Sequence, residues 1–164
     1  MSELVIVEMP VHLFLEEAVA LFEAHADEVV NAGRERPAPD WQRIIALSMT
    51  RHLTGFTARR DGELLGCALF LLQHSLIYRG RQIATLGEIF VKAAHRGPVS
   101  VALVRQAVRT LIARVDEVHV AERAAGPGER ARLGSLLAAE GFKPFENAWR
   151  AEQRELVPAE GVNA

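Results

Sequence analysis

ATLGEIFVKAAHRGPVSVALVRQAVR, from Ala84 to Arg109, changes its hydrophobic period part-way along, and that change decides the fold. Gln82 to Lys92 is rich in β-branched and apolar residues, as expected of a strand buried on at least one face. One carboxylate, Glu88, stands in its middle. From Val101 onward, Val104, Val108, Leu111, Ile112 and Val115 recur at helical spacing, while Arg105, Arg109 and Arg114 take the wet side. Arg96-Gly97 lies between the two patterns and reads as a tight turn. A strand that passes through a glycine-bearing turn into a helix aims backbone N–H groups and the positive end of the helix dipole at one point. That arrangement suits a phosphate or pyrophosphate.

Upstream of this stretch, Thr54 to Arg60 and Glu63 to Gln73 predict two strands joined by Asp61-Gly62, a two-residue hairpin signal. Leu64 to Leu72 is almost continuously apolar, the mark of a central strand covered on both faces. Arg79-Gly80-Arg81 then turns the chain into the Gln82 strand. Nearer the N-terminus, Glu3 to Glu8 reads as a short strand that Pro10 ends. Leu15, Val19, Phe22, Ala26 and Val29 predict a helix stopped by Asn31-Ala32-Gly33. After a loop from Arg34 to Pro39, Asp40 is the expected N-cap of a second helix, Trp41 to His52, with Ile44, Ile45 and Met49 on its apolar side.

Downstream, Glu117 to Glu122 alternates in polarity and reads as a strand parallel to the Gln82 strand across a helical crossover. Ala124 to Gly128 is a flexible connection, Leu133, Leu136 and Leu137 mark a short helix ended by Gly141, and Phe145 to Glu155 holds a final strand or two. The expectation is one α+β domain over residues 1–157, with a mixed, mostly antiparallel sheet of six or seven strands and about four flanking helices. Residues 158–164 read as a frayed tail.

Composition narrows the function classes. A chain of 164 residues, 49% of them hydrophobic, is long enough for one well-filled core. A net charge of −2 with both signs interspersed gives no general reason to expect nucleic acid or a membrane surface as partner. The lone Cys67 lies in an apolar run, which predicts a buried, inert thiol and a reducing, cytoplasmic setting. No basic leader opens the chain, and no apolar run approaches the roughly 20 residues of a membrane span. His12, His25, His52, His74 and His95 show no metal-ligand spacing with Cys67 or one another, so no metal is expected.

IFVKAAHRG, Ile89 to Gly97, resembles the "LFVxPxYRGxG" stretch of the GNAT superfamily of acyl-CoA-dependent N-acyltransferases. Leu136 to Phe142, LLAAEGF, is similar to that family's "FYEKLGF" ending, and the order of elements agrees over most of the chain. The resemblance implies a GNAT-like fold in which acetyl-CoA is held by Ile89, Phe90 and Val91 and by Arg96, Gly97, Pro98, Val99, Ser100, Val101 and Ala102. It implies that Glu88 prepares the amine, directly or through water, and burial there would make the carboxylate a better base. Backbone N–H groups near Phe90 and Val91 would polarise the thioester carbonyl. The acceptor, a small-molecule or peptide amine, would meet Arg34, Arg36 and Trp41 from the Pro-rich loop and His119 from the parallel strand.

Two departures bear on the chemistry. Val99 and Val101 stand near positions where the family carries glycines, in a turn that reads one residue short; Ser100 is the residue able to cap the helix and meet phosphate. Leu137 occupies the place of a tyrosine that protonates the departing thiolate in many members, leaving Ser135 as the nearest hydroxyl and Tyr78, the sole tyrosine, as a support of the fold. The reading is an N-acetyltransferase, with a non-catalytic GNAT-shaped binding module as its rival. Whether the edge strands form a homodimer stays open at this stage.

Overall fold

The computed structural model describes residues 3–120, 134–135 and 137–143. Its centre is a sheet of five strands in sequence order: β1 (Val5–Met9), β2 (Leu53–Arg60), β3 (Glu63–His74), β4 (Gln82–Val91) and β5 (Glu117–Val120). β1 to β4 pair antiparallel, and β5 lies parallel to β4. The helices are α1 (Leu15–Asn31), α2 (Trp41–Met49) and α3 (Pro98–Ile112), and the chain is helical again at 134–135 and 137–139. Five described strands are fewer than the six or seven expected. The final strand expected at Phe145 to Glu155, the connection at Ala124 to Gly128 and the 158–164 tail lie outside the described residues.

Local chemistry accounts for the boundaries. Asp61 and Gly62 both take positive φ, 51° and 82°, the pair of left-handed residues that matches a two-residue turn to the twist of its strands. The Asp40 carboxylate accepts the Arg43 N–H at 2.9 Å and caps α2. α2 stops at Met49 rather than at the expected His52 because Arg51 turns left-handed, φ 62°, and the His52 N–H closes back on the Leu47 carbonyl. Gly33, φ 75°, ends α1 in the same way, its N–H meeting the Val30 carbonyl at 2.8 Å.

The sheet is covered on both sides, which explains the unbroken apolar run of β3. Leu64, Cys67 and Leu69 join Leu21, Phe22 and Ala26 of α1 on one face. Leu65, Ala68 and Phe70 join Val99, Leu103, Ala107 and Leu111 of α3 on the other. Each fully buried leucine of that second cluster contributes about 1.5–3 kcal/mol. Two details of the expected stripes shift: α1 buries Ala18, Leu21, Phe22 and Ala26 rather than Val19, and α3 leaves Ile112 exposed.

Candidate active site

The strand, turn and helix form as the period change predicts, but the helix begins earlier than Val101. Ala93–His95 make one 3-10 turn after β4, Gly97 takes φ 88°, and Pro98 opens α3. A Cβ on Gly97 would meet nothing within 4 Å, so the backbone angle rather than space demands glycine there. Proline suits the first helical position because its ring fixes φ and its missing N–H has no helical partner to lose.

Gly97, not Ser100, is the N-cap; Ser100 lies inside the first helical turn. Val101 donates to the Gly97 carbonyl at 2.9 Å, which leaves the N–H groups of Val99 and Ser100 as the first-turn donors with no partner inside the helix. Val99 is 3% exposed and points into the α3 core cluster, away from the mouth of the turn. The valines therefore carry no left-handed strain, because Gly97 alone absorbs the positive φ.

Arg96 is engaged from two sides. Its Nε donates to the Val91 carbonyl at 3.1 Å, and its Nη2 pairs with Glu28 on α1. The first contact fixes the guanidinium beside the strand end; the second sets a carboxylate against a group expected to meet phosphate. Nearby, Lys92 pairs with Glu63 at 2.5 Å, which holds the Glu63 carboxyl below its ordinary range.

A β-bulge governs where Glu88 points. Leu69 pairs with Glu88 and Phe70 with Leu86, so Gly87 is an extra residue in β4. Before it, Ala84 and Leu86 face α3; after it Val91 does, while Phe90 joins the α1 cluster. Without Gly87, simple alternation would send Glu88 to the α3 face. With it, Glu88 shares the α1 face with its cross-strand partner Leu69 and with Phe90. Glu88 is exposed, contrary to the burial expected from its strand, because the pairing of β4 with β5 among the described residues covers Ile83 to Leu86. Its place on the α1 face beside Phe90 is what the structure supplies.

Around Phe90 the α1 face is aromatic. Phe22 meets Phe90 edge-on at 5.5 Å and Trp41 edge-on at 5.6 Å, and the His25 ring lies 5.4 Å from Phe90 at a tilt of 55°. Trp41 is half-buried in this stack. Arg36 pairs with Asp27 at 2.6 Å and with Glu23, tying the Pro-rich loop back to α1, and Arg34 is exposed. His119 pairs in register with Thr85, so alternation puts it on the face Glu88 shares, and its Nε2 lies 2.9 Å from Glu117 Oε2. The His119 contact and Arg81 hold the Glu117 carboxyl below its ordinary range.

Ser135 is exposed on the short helical stretch after residue 133. Leu137 is buried there, and Gly141, φ 88°, ends the stretch as expected. Tyr78 does not support the core: it is exposed in the loop between β3 and β4, with the Arg81 guanidinium 4.5 Å over its ring. Arg105, Arg109 and Arg114 each meet a carboxylate, the first two on Glu140 and the third on Glu8. A cleft of about 670 Å³ opens near Ser48, His52, His74, Gln82 and Arg114. It adjoins the start of β4, a ten-residue strand away from the turn, and so is separate from the site built on Gly87 to Ser100.

The structure therefore groups Glu88, Phe90, Trp41 and His119 on one face and Val91, Arg96, Gly97, Val99 and Ser100 at the strand end. Ile89 packs against the α3 cluster, and Pro98, Val101 and Ala102 belong to the first turn or so of α3. Sequence reasoning missed His25, Glu28 and the Gly87 bulge. His25 follows Phe22 by three residues and so falls on the same helix face, a signal that was present. No group of three His, Cys, Asp or Glu residues among the described residues could hold a metal.

Over most of its length the chain has the fold of solved GNAT acetyltransferases. Among solved structures the chain is similar to the ribosomal-protein-alanine N-acetyltransferase from Brucella melitensis biovar Abortus 2308, at 18% identity and TM-score 0.62, covering 90% of this chain and all of that one. It is similar to an aminoglycoside acetyltransferase from an uncultured soil metagenomic sample, at 18% identity and TM-score 0.66, over 92% of this chain and 98% of that one. It is also similar to aminoglycoside N-acetyltransferase AAC(6')-Iy in complex with CoA, at 19% identity and TM-score 0.58, over 94% and 97% of the two chains. Comparison of the sequence with family models and with curated proteins gave no match.

Proposed function

We propose that this chain is an N-acetyltransferase that moves an acetyl group from acetyl-CoA to a primary amine. The observation that carries the reading is the turn at Gly97, where open space over the glycine and the Val99 and Ser100 N–H groups meet the start of a fifteen-residue helix. A diphosphate fits that turn, since Val99 is turned inward and Arg96 stands beside it. Ile89, Phe90, Val91, Pro98, Val101 and Ala102 would line the rest of the acetyl-CoA path. Bound there, acetyl-CoA supplies the activated acyl group.

The protein's own residues then have to orient the amine, relieve it of a proton and steady the carbonyl. Glu88, exposed on the α1 face, is the carboxylate that serves deprotonation of the amine, directly or through water. Backbone N–H groups near Phe90 and Val91 steady the carbonyl oxygen. Trp41, Arg34, Arg36 and His119 border the acceptor, a small-molecule or peptide amine, and Ser135 is the hydroxyl for the leaving thiolate. Support for an amine acceptor comes from the fold neighbours, one of which is an aminoglycoside acetyltransferase in complex with sisomicin.

A second reading, a GNAT-shaped binding module without catalysis, is favoured by the Arg96–Glu28 pair and by Pro98, which withholds an N–H from the turn. Thermal shift with acetyl-CoA separates the two, because a ligand selective for the folded state raises its stability by about 2.7 kcal/mol at a hundred times Kd. Acetyl transfer is then read as CoA thiol release with sisomicin, spermidine, an alanine-led peptide and a lysine peptide as acceptors. Stabilisation with transfer supports the enzyme, stabilisation without transfer supports the module, and no stabilisation at saturating acetyl-CoA sinks both ligand readings.

A further inference from the structure

Resting on the acetyltransferase reading, we propose that His25 is a catalytic residue on the acceptor side, taking the proton that the incoming ammonium must lose. The ring sits on α1 in contact with Phe90, at 5.4 Å between centroids, and is half-buried there. Phe90 is one of the two residues whose backbone would hold the thioester carbonyl, so His25 packs on the side chain of a residue at that end of β4. The Gly87 bulge turns Glu88 to this same face, two residues back along the strand.

Both neighbouring acids bear on this role. Glu28, one turn further along α1, is bound to Arg96 from the turn, so its charge is largely answered. Glu88 faces the site from β4, and Glu23 and Asp27 on the outer side of α1 are held by Arg36. The other candidate groups for proton transfer are less well placed: His119 on β5 is engaged with Glu117, Tyr78 is in the β3–β4 loop, Leu137 has no polar atom, and Cys67 is buried with its thiol pushed up to about 12. An imidazole is the side chain suited to gaining and losing a proton between about pH 5 and 8.

The step balances as follows. The acceptor ammonium gives one proton to the His25 imidazole, and the neutral nitrogen attacks the thioester carbonyl carbon. The C–N bond forms as the C–S bond breaks, the electron pair leaves on sulfur, and the second nitrogen proton passes to the thiolate to give CoA thiol and amide. His25 returns its proton to solvent. Glu88 then serves to steady the imidazolium and to orient the amine rather than acting alone.

The test uses the full chain, acetyl-CoA and whichever of the four acceptors above turns over fastest. His25→Gln and His25→Asn are compared with the unmodified chain for kcat, for acetyl-CoA affinity and for the pH profile of kcat/KM. The expected result is a fall of about a hundredfold in kcat with acetyl-CoA affinity unchanged, and loss of the limb that rises through neutral pH. Loss of turnover together with loss of acetyl-CoA binding in both variants overturns the proposal, since the ring is then a packing element. Unaltered kcat and pH profile overturn it while leaving the acetyltransferase reading intact. No turnover by the unmodified chain with any acceptor overturns both.

Discussion

The two faces of the sheet differ in what they cover. The cluster under α3 is built of aliphatic and phenyl side chains, from Phe56 and Phe70 to Leu103 and Leu111, and its polar groups, Thr54 and Glu8, bond each other at its edge. The α1 face is aromatic, with Phe22 and Phe90 at its centre, and Trp41, His25 and Glu88 stand on or beside it. A single inserted residue, Gly87, divides the labour, because it hands Glu88 from the first face to the second. Both sides bury apolar core, and the α1 side also sets Glu88 and His25 at its margin.

The largest expected effect tests the α1 face. Glu88→Gln should lower turnover by about a thousandfold, within the usual range for a lost group that serves proton transfer, and change the unfolding free energy by no more than about 0.5 kcal/mol. Steady-state rates set beside urea unfolding give both numbers, and a large stability loss would break the contrast. The mirror experiment on the α3 face is Leu103→Ala. At 0% exposure its truncation should cost about 2–5 kcal/mol in urea unfolding while acetyl-CoA affinity holds.

Gly66→Ala acts between the two. A Cβ there would come within 2.8 Å of the Phe90 carbonyl oxygen and of Val91 Cγ2, so β3 and β4 must part where the carbonyl is to be held. A loss of about 1–3 kcal/mol is expected, with weaker acetyl-CoA binding by calorimetry. Glu28→Gln should do the reverse on a smaller scale: releasing Arg96 from its exposed partner should tighten acetyl-CoA by severalfold, consistent with the roughly 0–1 kcal/mol of a surface pair. Weaker binding in that variant would mean that Glu28 aims the guanidinium rather than competing for it.

The smallest effect is a pH dependence. Arg59 donates to Glu17 and holds its carboxyl below the ordinary 4.5, so this α1–β2 contact stabilises the fold fully above that value and is lost as pH falls through the lower, folded one. Glu17→Gln should therefore flatten slightly the acid limb of the midpoint measured from pH 5 to 2. The pair is largely solvated, so screening keeps the change small.

Much of this architecture was legible in the residues. The change of period after Lys92 marks the strand-to-helix junction, Asp61-Gly62 the hairpin, and Gly33 and Gly141 the helix ends, because each depends on a local backbone preference that a few side chains declare. What stayed hidden depends on pairing between distant segments. The bulge at Gly87 follows from register with β3, so alternation alone could not reveal that Glu88 changes face or stands exposed. The Arg96–Glu28 and Arg114–Glu8 pairs join residues far apart in the chain and leave no periodic trace. Ser100 was expected to cap α3 on the ground of its hydroxyl, yet Gly97-Pro98 begins the helix sooner by supplying one residue free to turn left-handed and one already fixed for the first turn.

The seclusion of Cys67 has a practical outcome at the bench. Its thiol is 0% exposed and pushed up to about 12 by desolvation, so near neutrality the folded chain offers almost no thiolate to an aromatic disulfide reagent. Coloured thiol release in an acetyl-CoA assay would then come from CoA alone, with the folded chain silent in its own background. The same reagent added during heating or denaturant titration would register one equivalent per chain as the sheet opens, making the sole cysteine a built-in gauge of unfolding.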